Sequence, residues 1–143
     1  MIDVLALDLE GTLISNAVTQ FPRPGLIDFL EQCRALVPRV VMYTTVREHR
    51  FRAIAATLVS EGSAPAWFQT MEYVDWEGAT KDLAFIRGAD LSRTLLVDDC
   101  ADYVHPGQEE NWLPIGQFAP PYAEEDGELS RLVSVLRERR GAS

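Results

Sequence analysis

A short apolar run, Val4-Leu5-Ala6-Leu7, ends at a carboxylate, Asp8; two residues later comes a second, Glu10, followed by Gly11-Thr12. Such a run, bounded by a turn signal, reads as a parallel strand buried on both faces. Open α/β sheets place their ligand sites beyond the carboxyl ends of the strands. Asp8 and Glu10 are therefore expected at the lip of a sheet, with Gly11 letting the backbone turn sharply.

The rest of the chain repeats the pattern. Pro24 opens a helix whose apolar positions are Leu26, Ile27, Phe29, Leu30, Cys33 and Leu36, and Pro38 stops it. Residues 39–45 read as a second strand running into Thr44-Thr45, and residues 46–60 as a helix ended by Gly62. Arg47, His49, Arg50 and Arg52 crowd the start of that helix, where cations oppose its dipole. They either form a solvated face or turn toward an anionic ligand. Residues 66–71 are expected as a third strand and residues 81–87 as a short helix. Residues 92–97 form a strand that runs into Asp98-Asp99, residues 112–118 a last short strand, and residues 124–140 a helix. Strands alternating with helices predict an α/β fold, a mainly parallel sheet with helices on both faces.

At 143 residues the chain has the size of one domain, and none of its apolar runs reaches the roughly 20 residues needed to cross a bilayer. The N-terminus enters a strand with no signal-peptide pattern, so a cytoplasmic location without membrane association is expected. Lys and Arg number 13 against 22 Asp and Glu, a net charge of −9 that disfavours nucleic acid as a partner. Cys33 and Cys100 have no metal or redox spacing and are expected reduced; no role is assigned to Cys100.

Four signals at strand ends or in loops carry the chemistry: Asp8 with Glu10, Thr44, Lys81, and Asp98-Asp99. Each alone has a plain alternative. Asp8 is a common kind of turn residue, Thr44 a strand threonine or helix cap, and Lys81 a surface lysine. Adjacent carboxylates after a buried strand are less easily dismissed, because they repel each other unless a cation lies between them.

Asp8-Leu9-Glu10-Gly11-Thr12 resembles the first motif, Asp-x-Asp-Gly-Thr, of the haloacid dehalogenase (HAD) superfamily, with Glu10 in place of the usual second Asp. Arg23-Pro24-Gly25-Leu26, Tyr43-Thr44-Thr45, Lys81-Asp82-Leu83 and residues 90–99 resemble segments of its NLI-interacting-factor-like branch, the small C-terminal-domain phosphatases. That branch carries a hairpin after the first motif, where this chain has only residues 14–21. The resemblance implies a three-layer Rossmann-like core and one HAD-like hydrolase domain over residues 1–143 without a cap. It also implies a Mg²⁺-dependent phosphomonoesterase of a phosphoprotein or an accessible small phosphate. Asp8 would be the nucleophile that forms an aspartyl-phosphate, and Glu10 the general acid and base. Thr44, Thr45 and Lys81 would bind phosphate. Asp8, the Glu10 carbonyl, Asp98 and Asp99 would serve the metal. A catalytically weak binding or regulatory domain is the alternative.

Overall fold

The computed structural model describes residues 1–141. Five parallel strands form one sheet: β1 (Val4–Leu7), β2 (Arg39–Met42), β3 (Glu72–Tyr73), β4 (Thr94–Asp98) and β5 (Trp112–Pro114), in the order β3-β2-β1-β4-β5. Helix α1 (Leu26–Leu36) links β1 to β2, α2 (Glu48–Ser60) links β2 to β3, and α3 (Glu128–Gly141) follows β5.

The two faces are roofed differently. Leu5, Leu7, Met42, Leu95 and Val97 point to one side, where they share a core with buried side chains of all three helices, among them Phe29, Phe51 and Leu132. Val4, Ala6, Val41, Tyr43 and Leu96 point to the other side and meet Val74, Leu83 and Ile86. The chain steps from β1 to β2 to β3 in one direction, then returns across the sheet to β4. Right-handed crossovers put connections of opposite direction on opposite faces. The third layer thus consists of 3-10 turns, notably Leu83–Phe85, where a helix over residues 81–87 was expected. Asp82 caps that turn by accepting from the Ala84 N–H at 2.9 Å.

The expected strand over residues 66–71 is instead a 3-10 turn, Ala66–Gln69, and the third strand is the two-residue Glu72–Tyr73. The reason is the spacing of the buried positions. Phe68 and Met71 are buried three residues apart, a helical rather than an alternating period. Phe68 meets the Phe51 ring edge-on at 5.4 Å, and Trp67 lies under the Arg34 guanidinium at 5.0 Å. The last helix begins later than the expected residue 124, at Glu128, whose N–H is capped by Asp126 at 3.1 Å. Ile27, expected on the apolar face of α1, is 41% exposed.

Among the described residues, no helix is long and apolar enough to cross a membrane.

Candidate active site

Strands β1 and β4 are neighbours whose onward connections leave in opposite directions, which opens a crevice beyond their carboxyl ends. The register pairs Leu7 with Val97 and Leu7 with Met42. Asp8 is therefore level with Asp98 on one side and with Tyr43 on the other, one residue short of Thr44. The Asp8 N–H continues the ladder to the Val97 carbonyl at 3.0 Å.

Lys81 joins the two strand ends. Its ammonium donates to Asp8 Oδ1 at 2.9 Å and to Asp98 Oδ2 at 2.6 Å, and it is wholly buried. Its backbone is held by the Tyr103 carbonyl at 2.7 Å, and its Nζ lies 4.9 Å from the centre of the Tyr103 ring. The remaining oxygens of the two carboxylates are also engaged. Asp8 Oδ2 accepts from Thr12 Oγ1 at 2.7 Å, and Asp98 Oδ1 accepts from the Cys100 N–H at 2.9 Å. The Trp112 indole N–H donates to the Asp98 carbonyl at 2.9 Å and fixes the end of β4.

Burial dominates the titration of this group. It pushes the Asp8 carboxyl up to about 6 although Lys81 and Thr12 favour the ionised form. Burial and the Asp8 charge raise Asp98 above the usual carboxylate range despite Lys81. For Lys81, burial works against the ammonium, but Asp8 and Asp98 outweigh it and hold it above its ordinary value.

Asp99 completes the cluster. One oxygen from each of Asp8, Asp98 and Asp99 lies within 4.8 Å of the others. Gly11 stands against Asp99: its φ is +74°, and a Cβ there would fall 2.4 Å from Asp99 Oδ2. Glycine is thus required twice, for the left-handed backbone and for the close approach. Three carboxylates against one ammonium leave two negative charges uncompensated when all are ionised. The donors are hard oxygens. Asp8, Asp98 and Asp99 thus form a donor set that fits a divalent cation.

A family model described as NLI interacting factor-like phosphatase matches residues 3–143. The chain belongs to that family. Among solved structures it is similar to the fission yeast RNA polymerase II CTD phosphatase Fcp1, in an arginine-to-alanine variant bound to beryllium fluoride, with a TM-score of 0.69 and 16% identity. That match covers 99% of this chain and 63% of the Fcp1 chain, and it shows the same α/β fold. A comparison with curated proteins found no match.

In this NLI interacting factor-like chain, Lys81 donates to both Asp8 and Asp98, with Asp99 beside them. Thr44 is buried at the end of β2. Its hydroxyl oxygen accepts from the Val46 N–H at 3.1 Å, so its own proton is free to donate, while Thr45 is exposed. The Glu10 carboxylate lies outside the three-carboxylate cluster; its Oε2 accepts from the Ala17 N–H at 2.7 Å.

The basic start of α2 divides among several tasks. Arg50 donates to the Ala17 carbonyl at 2.9 Å and Arg52 to the Met71 carbonyl at 2.7 Å, so both tie down loops. His49 is exposed, and Arg47 lines a cleft beside Thr44.

Two contributors stand in matched motifs without a role read for them. Thr12 ends the first motif, and its hydroxyl holds Asp8. Arg23 is 2% exposed: it donates to the Thr12 carbonyl at 3.2 Å and to the Gly11 carbonyl at 3.4 Å, and pairs with Asp126 at 3.0 Å. An arginine before Pro-Gly is the only signal the sequence offers for it.

Proposed function

We propose that the chain is a Mg²⁺-dependent phosphomonoesterase that works through an aspartyl-phosphate on Asp8. The observation that carries this reading is the state of Asp8: a buried carboxylate at a strand end, fixed through one oxygen by Lys81 and through the other by Thr12. A carboxylate so held loses little freedom on reaching a phosphorus atom.

Asp8 attacks phosphorus, forming an O–P bond as the ester O–P bond breaks, and the proton for the leaving oxygen comes from Glu10. Glu10 then takes a proton from the water that attacks the aspartyl-phosphate, the Asp8 O–P bond breaks, and inorganic phosphate leaves. The Ala17 hydrogen bond uses one of the two Glu10 oxygens and leaves the other for this work. Lys81 favours the ionised form of Asp8 and offers positive charge to the phosphoryl group, and the Thr44 hydroxyl donates to a phosphoryl oxygen, with Thr45 beside it. When bound, Mg²⁺ would offset the charge repulsion between the carboxylates and an anionic ester.

We read the chain as one capless domain. A site left open to solvent suits a phosphate on a large partner, and the Fcp1 likeness supports a phosphoprotein substrate. Turnover of p-nitrophenyl phosphate with and without Mg²⁺ tests the reading, together with beryllium fluoride as an inhibitor that needs Asp8. Absence of Mg²⁺-dependent turnover would favour the alternative, a phosphoryl-binding domain with weak catalysis. The engagement of Glu10 by Ala17 is the observation on that side.

A further inference from the structure

A cleft of about 650 Å³ begins at Thr44 and Thr45, where the phosphoryl group is proposed to bind, and shares the Tyr103 ring with the Lys81 site. An ester bound at Thr44 and Lys81 has this hollow beside it for the rest of the substrate. The volume lies within the range of specific ligand sites and far exceeds one phosphate.

The walls are built rather than incidental. The Trp76 indole donates to the Thr44 carbonyl at 2.8 Å, and its ring packs against Tyr43 at 5.4 Å. The Tyr73 hydroxyl donates to the Val46 carbonyl. Tyr73 and Trp76 are thus held in place along the cleft, and the Tyr103 ring joins them beside the Lys81 ammonium.

The cleft carries charges of both signs. Arg47, two residues beyond Thr45, lines the cleft, and Glu48 is paired with Arg52 at 3.0 Å. The segment after β3 carries Asp75 and Glu77, both exposed and, among the described residues, in no ion pair. Asp75 and Glu77, on either side of Trp76 in sequence and lining the same cleft, form a surface that attracts cations and repels anions.

Resting on the phosphatase reading, we infer that this cleft receives the residues flanking a phosphorylated side chain and selects phosphopeptides with Lys or Arg beside the phosphorylated residue over those with Glu. Both contributions act together: the basic neighbour is drawn to Asp75, Glu77 and the aromatic rings, and the acidic neighbour is repelled by the same carboxylates.

The test uses the full chain with Mg²⁺, a set of phosphopeptides differing only in Lys, Ala or Glu beside the phosphorylated residue, and p-nitrophenyl phosphate. The expected order of kcat/KM is Lys over Ala over Glu, with about tenfold between the extremes, the size that a few exposed charge contacts produce. In the double variant Asp75→Asn with Glu77→Gln, that ratio should fall below about threefold while p-nitrophenyl phosphate turnover stays unchanged. Equal rates for the three peptides, or a preference that survives the double variant, would overturn the inference and leave the phosphatase reading standing. Phosphocholine turned over better than every peptide would overturn it in favour of a small cationic ester. If p-nitrophenyl phosphate itself is not hydrolysed, the phosphatase reading fails first.

Discussion

Glu10 and Ala17 are joined by a 2.7 Å hydrogen bond from the Ala17 N–H to Glu10 Oε2. The same peptide segment is held from its other side, because the Ala17 carbonyl accepts from Arg50 Nη2 at 2.9 Å and from Gln20 Nε2 at 3.1 Å. The acid–base candidate is therefore braced by a loop that is itself braced by α2.

This relationship separates two substitutions. In Glu10→Gln the amide oxygen can still accept from Ala17, so the loop is kept and the proton chemistry is lost. Turnover should drop about 10²- to 10⁴-fold. For p-nitrophenyl phosphate, whose leaving group needs little protonation, a burst followed by a slow steady state is expected. Glu10→Asp keeps the carboxyl group but withdraws it by roughly one bond, about 1.5 Å, and should retain activity. Stopped-flow traces of both variants decide; equal, wild-type-like rates would make Glu10 a turn residue.

Replacing Asp8 with Asn should remove turnover by at least about 10³-fold, a barrier increase of at least about 4 kcal/mol. Circular dichroism should show the fold retained. Wild-type-like turnover in a clean preparation of this variant would exclude the covalent route.

Asp98→Ala should weaken Mg²⁺ binding, since it removes one of three hard donors and also one of the two carboxylates on Lys81. Calorimetric titration reads this directly. An unchanged affinity would place the cation elsewhere.

The pH dependence follows from Asp8. Its carboxyl, ordinarily at 3.8, sits at about 6 in the metal-free fold. A group raised on folding contributes stability that is complete below its unfolded value and is lost as pH rises through its folded value. For Asp8 that window runs from about 4 to 7, and above it the ionised carboxylate strains the metal-free site. Mg²⁺ should therefore raise Tm clearly at pH 7.5 and much less at pH 5, where a proton competes for Asp8. Equal shifts at both pH values would contradict this.

Much of the site was readable because its strands announce themselves. Val4–Leu7 and Leu95-Leu96-Val97 are apolar runs cut off by carboxylates, and strand pairing leaves Asp8 and Asp98 side by side. Lys81 was readable through the family's Lys-Asp-Leu, although nothing local says that it is buried. Residues 66–71 misled because Trp and Phe favour strands equally well, and only the partners of Phe68 and Trp67 select the 3-10 turn. The Glu10–Ala17, Arg50–Ala17 and Arg52–Met71 contacts end on backbone carbonyls or N–H groups, which carry no residue identity and so leave no trace in sequence.

Arg23 bears on how the site comes into being. Its guanidinium grips the carbonyls of Gly11 and Thr12 on one side and Asp126 on the other, 103 positions away in the chain, and the Phe118 N–H adds a 2.8 Å bond to the Gly11 carbonyl. A nascent polypeptide that has reached only residue 110 already contains Asp8, Glu10, Thr44, Lys81, Asp98 and Asp99, yet the loop that aims Thr12 at Asp8 lacks its far anchor. Contacts so distant in sequence form late in folding, because a long loop must close before they can form. Completion of the site is thereby tied to the emergence of residues 118–126, a segment that supplies none of the side chains clustered around Lys81.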